Sequence, residues 1–172
     1  MSLEQLSPVV FESVSQTTLT NSVQLGSRRK DAQGYEYVYV YNDGGEQIAP
    51  TYGCIQSTGT SGYSVTITSV ADVAQRFMGV VKQATIATAY YGWIINKGYC
   101  LLEASVDSTV TAMKYVGLAV NGTFKVNDQG TLTVTSGAAN GNSFELNPEI
   151  AITDGSVDTA SGGSFLAYVF AP

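Results

Sequence analysis

The most constraining feature of the sequence is a run of strict alternation, Tyr35-Glu36-Tyr37-Val38-Tyr39-Val40-Tyr41. Because successive side chains of a β-strand point to opposite faces, this run predicts a strand with its four tyrosines on one face. The run ends at Asn42-Asp43-Gly44-Gly45, a sequence typical of a hairpin turn. The two signals together predict a strand followed by a hairpin.

Short stretches of similar character recur along the chain, separated by turn signals about every 8–12 residues. They lie at residues 53–60, 63–68, 78–86, 90–106, 115–120, 124–126, 131–135, 149–153 and 165–170. This organisation predicts an all-β, single-domain antiparallel β-sandwich or barrel. Helical spacing is found in one place, so at most one short helix is expected, over Val70, Val73, Ala74 and Phe77.

Three kinds of local signal predict how these strands are joined. Asn121-Gly122 is a two-residue hairpin signal. Asn127-Asp128-Gln129-Gly130 stands between two apolar runs and predicts a second hairpin. Gly92 and Gly98 interrupt apolar runs, which indicates β-bulges or tight corners.

The 172 residues correspond to one ordinary domain. We expect residues 1–25 to form an extended N-terminal arm and a first strand, and residues 26–172 to form the β-sandwich or barrel domain. Pro8 disfavours a helix at the start of the arm. The arm could latch onto a neighbouring subunit or simply fray, and the sequence does not decide between the two.

The charge balance narrows the classes of partner. The chain has 8 Lys and Arg against 14 Asp and Glu, a formal net charge of −6. Binding to nucleic acid depends largely on basic side chains, so neither nucleic acid nor an anionic membrane is expected as a partner. No stretch approaches the 18 or so apolar residues of a membrane helix, and no signal peptide is recognisable, which predicts synthesis in the cytosol.

The residue types of most catalytic and metal sites are missing. With no histidine, Ser-His-Asp and Cys-His catalysis and most catalytic zinc sites are excluded. A carboxylate pair such as Glu103 and Asp107 is conceivable, although such a pair is more often a solvated edge. The oxygen-rich turns at 42–46 and 127–130 lack a full calcium-loop pattern. We therefore expect no enzyme activity, cofactor or metal.

The two cysteines, Cys54 and Cys100, form no CxxC pair. We expect two buried, reduced thiols, as is usual in cytosolic protein, while a disulfide between them stays open at this point.

Two further features have more than one interpretation. The basic cluster Arg28-Arg29-Lys30 follows Gly26 and Ser27 in an expected turn, and is either a solvated loop or a docking point for an acidic partner. The tyrosine face of residues 35–41 and the run Tyr90-Tyr91-Gly92-Trp93 are suited to a core, a protein interface or a sugar-binding platform.

Several blocks, in their order and spacing, resemble small structural proteins that decorate the capsids of tailed phages. Those proteins open with an LG-[ST]-R stretch and a strand of the type G-x-E-[FY]-V-Y-V, continue with A-x-G-x-x-[VI]-Q and FxGVA…YGW[VI], and close with a further strand. The blocks of this chain that resemble them are Leu25-Gly26-Ser27-Arg28, residues 34–40, 49–56, 76–81, 90–94, 98–99 and 162–169. Pro50 and Cys54 depart from the pattern.

The resemblance implies a capsid decoration (cement) protein on the exterior of the virion, bound to the major capsid protein and associated with itself as a homotrimer. It carries no catalytic residues. The residues expected to make contact are Arg28 and Arg29, together with four apolar residues of the arm, Leu3, Leu6, Val9 and Phe11. The alternative is a head fibre or adhesin that binds host glycan, with Tyr90, Tyr91 or Trp93 exposed in a groove. A major capsid subunit would need a long spine helix, which no periodic segment predicts.

Overall fold

In a computed structural model of the chain, the described residues are 13–57, 61–67, 77–105, 109–110, 115–118, 120–126, 151–153, 157–158 and 163–171. They contain twelve strands and one short 3-10 turn at Val120–Gly122. The strands are β1 Arg28–Lys30, β2 Glu36–Asn42, β3 Gly53–Gln56, β4 Ser64–Thr66, β5 Phe77–Val81, β6 Tyr91–Glu103, β7 Thr109–Val110, β8 Tyr115–Leu118, β9 Phe124–Val126, β10 Ala151–Thr153, β11 Val157–Asp158 and β12 Ser164–Phe170.

The prediction of an all-β fold is confirmed, and the architecture is a small closed barrel with extra strands. The barrel order is β2-β4-β3-β5-β6, and β2 pairs with β6 to close it. Of the expected helix, Phe77 instead opens β5, while Val70, Val73 and Ala74 lie outside the described residues. No helix in the described part of the chain is long and apolar enough to cross a membrane.

The predicted hairpin after β2 is wrong. The next strand, β3, pairs with β4 and β5 and not with β2. The neighbours of β2 are β1, β6 and β4, and β4 runs parallel to it. The turn itself is present but leads elsewhere, because the buried Asn42 side chain donates to the carbonyls of Glu46 and Ile86 and accepts from the Gly44 amide. These bonds direct the chain across the barrel end, where both edges of β2 are already paired.

One cluster of side chains fills the inside of the barrel. Every barrel strand contributes to it, and the register places Val38 of β2 opposite Ile94 of β6. Its members are mostly β-branched, which suits a narrow interior. They are Val38, Val40, Ile48, Cys54, Val65, Val81, Ile86 and Ile94.

The opposite face of β2 and β6 carries the larger, aromatic core. Tyr37 and Tyr39 are buried there beside Trp93 and Ile95, so most of the tyrosine face predicted from the alternation is core. Both faces of β2 are therefore buried, whereas a strand at the surface of a sheet would expose one face to solvent. The rest of this core comes from β3, β5, β8, β9 and β12, and includes Ile55, Phe77, Val80, Leu118, Phe124 and Phe165.

Strand β6 connects the barrel to a second group of strands. Residues up to Lys97 pair with β2, and residues from Lys97 onward pair with β12, beyond which lie β10, β8 and β9. Gly98 lies beside the change with φ +131°, and the Tyr35 ring occupies the place of a Cβ there. The strand continues through Gly98, and the irregularity in its register falls between Ile95 and Lys97, so the predicted bulge lies next to Gly98 and not at it. Gly92 pairs regularly with Val40 and allows Ile86 to pack against it, so no bulge is found.

The hairpin predicted at Asn121-Gly122 is confirmed. Strands β8 and β9 are antiparallel with Leu118 opposite Phe124, and both turn residues have positive φ, 55° and 73°. Such angles are well tolerated by asparagine and glycine. The strand predicted at 124–126 is confirmed as β9, while the turn at 127–130 and the strand predicted at 131–135 lie outside the described residues.

Candidate interaction surfaces

The outer face of β6 and β12 exposes large apolar side chains. Tyr99, Leu101 and Leu166 are 46%, 51% and 40% exposed. The antiparallel register places Leu101 beside Leu166 and Tyr99 beside Tyr168, and the two tyrosine rings meet edge to face with centroids 5.1 Å apart. These four residues are called the outer face below. Contiguous exposed apolar side chains of this kind are typical of protein interaction sites.

The outer face is held rigidly from beneath. The alternate residues of the same two strands are buried in the aromatic core, which fixes the direction in which the outer side chains point. They are Cys100, Leu102, Phe165, Ala167 and Val169. The outer face is therefore a preformed surface whose shape is set by the core.

A charged residue of β6 borders the outer face at each end. The row beyond the tyrosines pairs Lys97 with Phe170, and the row beyond the leucines pairs Glu103 with Ser164. An apolar centre with a polar rim is the usual anatomy of a protein interface. The sequence reasoning missed this surface, although the doubled apolar pair Leu101-Leu102 was a signal, because one of the two must point away from a one-sided core.

The basic cluster lies in a strand and not in a turn, which corrects the prediction. Arg28, Arg29 and Lys30 form β1, an edge strand that pairs with β2 alone among the described strands. The extended strand β2 gives the basic cluster a partner to pair with. Basic side chains on an edge strand discourage the addition of strands from other molecules. Arg28 and Lys30 are exposed and Arg29 is half-buried.

The charges near β1 are partly compensated. Glu36 lies 3.6 Å from the Lys30 ammonium and 3.9 Å from that of Lys97. Arg28 is the exposed arginine of the strand and Arg29 has contacts of its own. An acidic partner approaching this edge would therefore meet Arg28 first.

The turn between β1 and β2 is organised by Asp31. Its carboxylate accepts bonds from the amides of Gln33 and Tyr35 and from the Tyr37 hydroxyl. Partial desolvation raises the pKa of Asp31, but these hydrogen bonds and the charge of Lys82 outweigh it and lower the pKa below its usual value. Burial, followed by the bond to Asp31, raises the pKa of Tyr37 to about 12.

The aromatic residues proposed for a sugar-binding groove are largely covered. Trp93 is only 8% exposed, with its ring centroid 5.1 Å from that of Tyr39, while Tyr90 and Tyr91 are half-buried. Residues 13–25 lie over this region, since Thr18 forms a bridge with Tyr91 and Val14, Val23 and Leu25 pack against the core. Trp93 therefore offers no open stacking surface, and a glycan site would depend on Tyr90 and Tyr91.

The arm residues predicted to make contact, Leu3, Leu6, Val9 and Phe11, lie outside the described residues. Of the segment 1–25, residues 13–25 are described, and their strand pairing is the single bridge at Thr18.

The Glu103 carboxylate, considered above for catalysis, is held by hydrogen bonds within the fold. Glu103 accepts hydrogen bonds from the hydroxyls of Ser164, at 2.9 Å, and Thr51, at 3.4 Å, while Asp107 lies outside the described residues. Among the residues that the structure describes, no group of three metal-ligating side chains comes together.

Cys54 and Cys100 are buried and unbonded to each other, which settles the alternative left open by the sequence. Cys54 lies inside the barrel, where its thiol donates to the Gly79 carbonyl, and Cys100 lies in the aromatic core. Burial raises the pKa of each thiol to about 12.

We therefore expect neither cysteine to react with a thiol reagent in the native protein at pH 8, because the reactive thiolate is both rare and shielded. Under denaturing conditions without reductant, both thiols should react. Titration with an aromatic disulfide reagent measures this directly. A denatured chain that yields fewer than two thiols would show that the cysteines are oxidised.

A scan against protein-family models matches no family, and a search of curated proteins finds no significant match.

Proposed function

We propose that this chain is a non-enzymatic decoration (cement) protein that binds the exterior of a tailed-phage head and stabilises the capsid lattice. The observation that carries the proposal is the edge strand β1. It concentrates three of the eight basic residues of an acidic chain on an exposed, rigid edge. Such an edge suits attachment to an acidic patch on the major capsid protein, because arginine makes bidentate bonds with carboxylates.

The resemblance to decoration proteins supports the proposal, because the similar sequence blocks fall on strands of the fold. Its sequence blocks fall on β1 and β2, on β3, on β5 and the start of β6, and on β12. Several of their glycines stand where space is short; a Cβ on Gly26, for example, would overlap the Tyr63 ring. The blocks therefore cover four of the five barrel strands together with β1 and β12, which makes them a signal of shared fold more than of a shared contact site.

The proposed mechanism is mechanical. A protein that binds the mature lattice and not its dissociated subunits stabilises the lattice by linkage, in proportion to the logarithm of its concentration over its dissociation constant. Attachment of several associated copies lengthens the residence time without any single strong contact. The barrel supplies a rigid body that can hold adjacent capsomers at a fixed spacing.

The test is co-sedimentation of the purified chain with heads that lack it. We expect saturable binding to expanded heads at a fixed ratio to the major capsid protein, together with a higher temperature of capsid disruption. Absence of binding to expanded heads at any ratio would refute the proposal.

Replacing Arg28 with glutamine is expected to weaken head binding by about three- to tenfold, because it removes an exposed charge from the proposed contact. The matched control is Lys125→Gln, which changes the net charge equally on β9, at the far end of the strand order. The measurement is the binding isotherm at about 50 and 300 mM salt, where screening should shrink the difference. Equal effects of the two substitutions would rule out a specific role for β1.

A further inference from the structure

We propose that the outer face of β6 and β12 is a self-association surface, through which two copies of this chain pack face to face around a two-fold axis. The inference concerns a different surface from β1 and does not depend on capsid binding. It also differs from the trimer that the resemblance implies, because a two-fold contact uses the same patch on both copies.

The order of residues along the strands makes the outer face complementary to itself. From one end to the other, the rows are Lys97 with Phe170, Tyr99 with Tyr168, Leu101 with Leu166, and Glu103 with Ser164. A two-fold axis in the plane of the interface, perpendicular to the strands and between the two central rows, reverses this order in the partner. Each tyrosine row then lies over a leucine row.

The same operation matches the charges. Lys97 lies over Glu103 of the partner subunit, and Glu103 over the partner subunit's Lys97, which gives two symmetric ion pairs. An axis parallel to the strands would instead place Lys97 over an aromatic ring and leave both charges without a partner of opposite sign. Charge complementarity therefore selects the second copy as occupant and fixes the direction of its strands.

Lys97 and Glu103 can both form these ion pairs without depriving another charged group of its partner. Glu36 keeps Lys30 at 3.6 Å if Lys97 turns toward a partner. The Glu103 carboxylate uses one oxygen for Ser164 and Thr51, and a carboxylate can accept about four hydrogen bonds in all. Packed sheets commonly cross at about 30°, which still keeps matched rows close at the centre of the face.

The size of the surface sets the expected strength. Two strands about 5 Å apart and seven residues long give a footprint of roughly 250 Å². A stable complex usually buries about 800 Å² per partner, so the dimer is expected to be weak and concentration-dependent.

The experiment is sedimentation velocity of the full chain from about 5 to 500 µM. We expect a reversible monomer–dimer equilibrium that Leu101→Ser weakens at least tenfold. The control is Leu19→Ser, because Leu19 is 62% exposed but lies outside the outer face. A chain that stays monomeric throughout, a trimer formed without a dimer, or equal effects of the two serine variants would overturn the proposal.

Charge reversal tests the geometry. Lys97→Glu and Glu103→Lys should each abolish the homodimer, because each places like charges together at both ends. An equimolar mixture of the two variants should form a heterodimer about as strong as the parent dimer, because both ion pairs are restored, one with its original polarity and one reversed. Near-ultraviolet circular dichroism confirms that each variant is folded. A mixture of folded variants that stays monomeric would overturn the two-fold arrangement.

Discussion

Replacing Gly79 with alanine is expected to lower the free energy of unfolding by more than about 3 kcal/mol, a large share of the roughly 5–15 kcal/mol that stabilises an ordinary domain. Gly79 has φ +147°, which side chains rarely allow, and a Cβ there would stand 2.2 Å from the Ile95 carbonyl oxygen. Both atoms in this clash belong to paired strands, so relief requires that β5 move away from β6 and open the barrel. Urea denaturation of the purified variant measures the loss.

Substitutions at two other glycines distinguish the cost of backbone strain from the cost of a steric clash of the Cβ. Gly34 has φ +87° but nothing within 4 Å of a Cβ, so Gly34→Ala should cost only about 1 kcal/mol. Gly45 has an unstrained φ and equally open surroundings, so Gly45→Ala should change stability by less than about 0.5 kcal/mol. If Gly79→Ala proves no more damaging than Gly34→Ala, the close approach of β5 and β6 at this point is wrong.

Replacing Ile94 with alanine is expected to destabilise the protein by about 3–5 kcal/mol. Ile94 is fully buried inside the barrel, opposite Val38 and Val81 of its neighbouring strands. Five strands closed by hydrogen bonds cannot collapse into the space left by the missing side chain, so the cost lies at the upper end of the range for such cavities. For a chain of this length, a thermal midpoint about 6–20 °C lower would be the corresponding result.

Ile94→Val provides the graded control, with an expected cost of about 1 kcal/mol for one methyl group. Leu19→Ala, at a residue that is 62% exposed, should be nearly neutral. A loss at Ile94 no larger than the loss at Leu19 would show that the side chain does not fill a closed interior.

The sequence predicted those strands and turns that are determined by neighbouring residues. The alternation of residues 35–41 specifies β2, and the angles required at Asn121 and Gly122 explain why that hairpin is marked in the sequence. The pairing of strands distant in sequence could not be predicted in the same way. Asn42-Asp43-Gly44-Gly45 has the composition of a hairpin turn, yet Ile86, far along the chain, binds Asn42 and changes where the turn leads.

The candidate surfaces were predicted less well, for a related reason. Arg28 and Arg29 were correctly singled out as a basic cluster, but their strand conformation depends on pairing with Val38 and Tyr37. The outer face depends on β6 and β12 meeting in a register that brings Leu101 beside Leu166, across a long separation in the chain. Apolar residues that look like core in sequence become surface because the partner strands cover only one side.

The thirteen residues of β6 serve both the barrel and the strands beyond it. A force applied to Tyr99 or Leu101 therefore passes along one continuous backbone into the hydrogen bonds that close the barrel at β2. That load acts along the strands, where many backbone hydrogen bonds resist it together. Strand β6 joins the outer face to the barrel without a loop between them. The distance and orientation of the outer face relative to the barrel are thus fixed by a single shared strand.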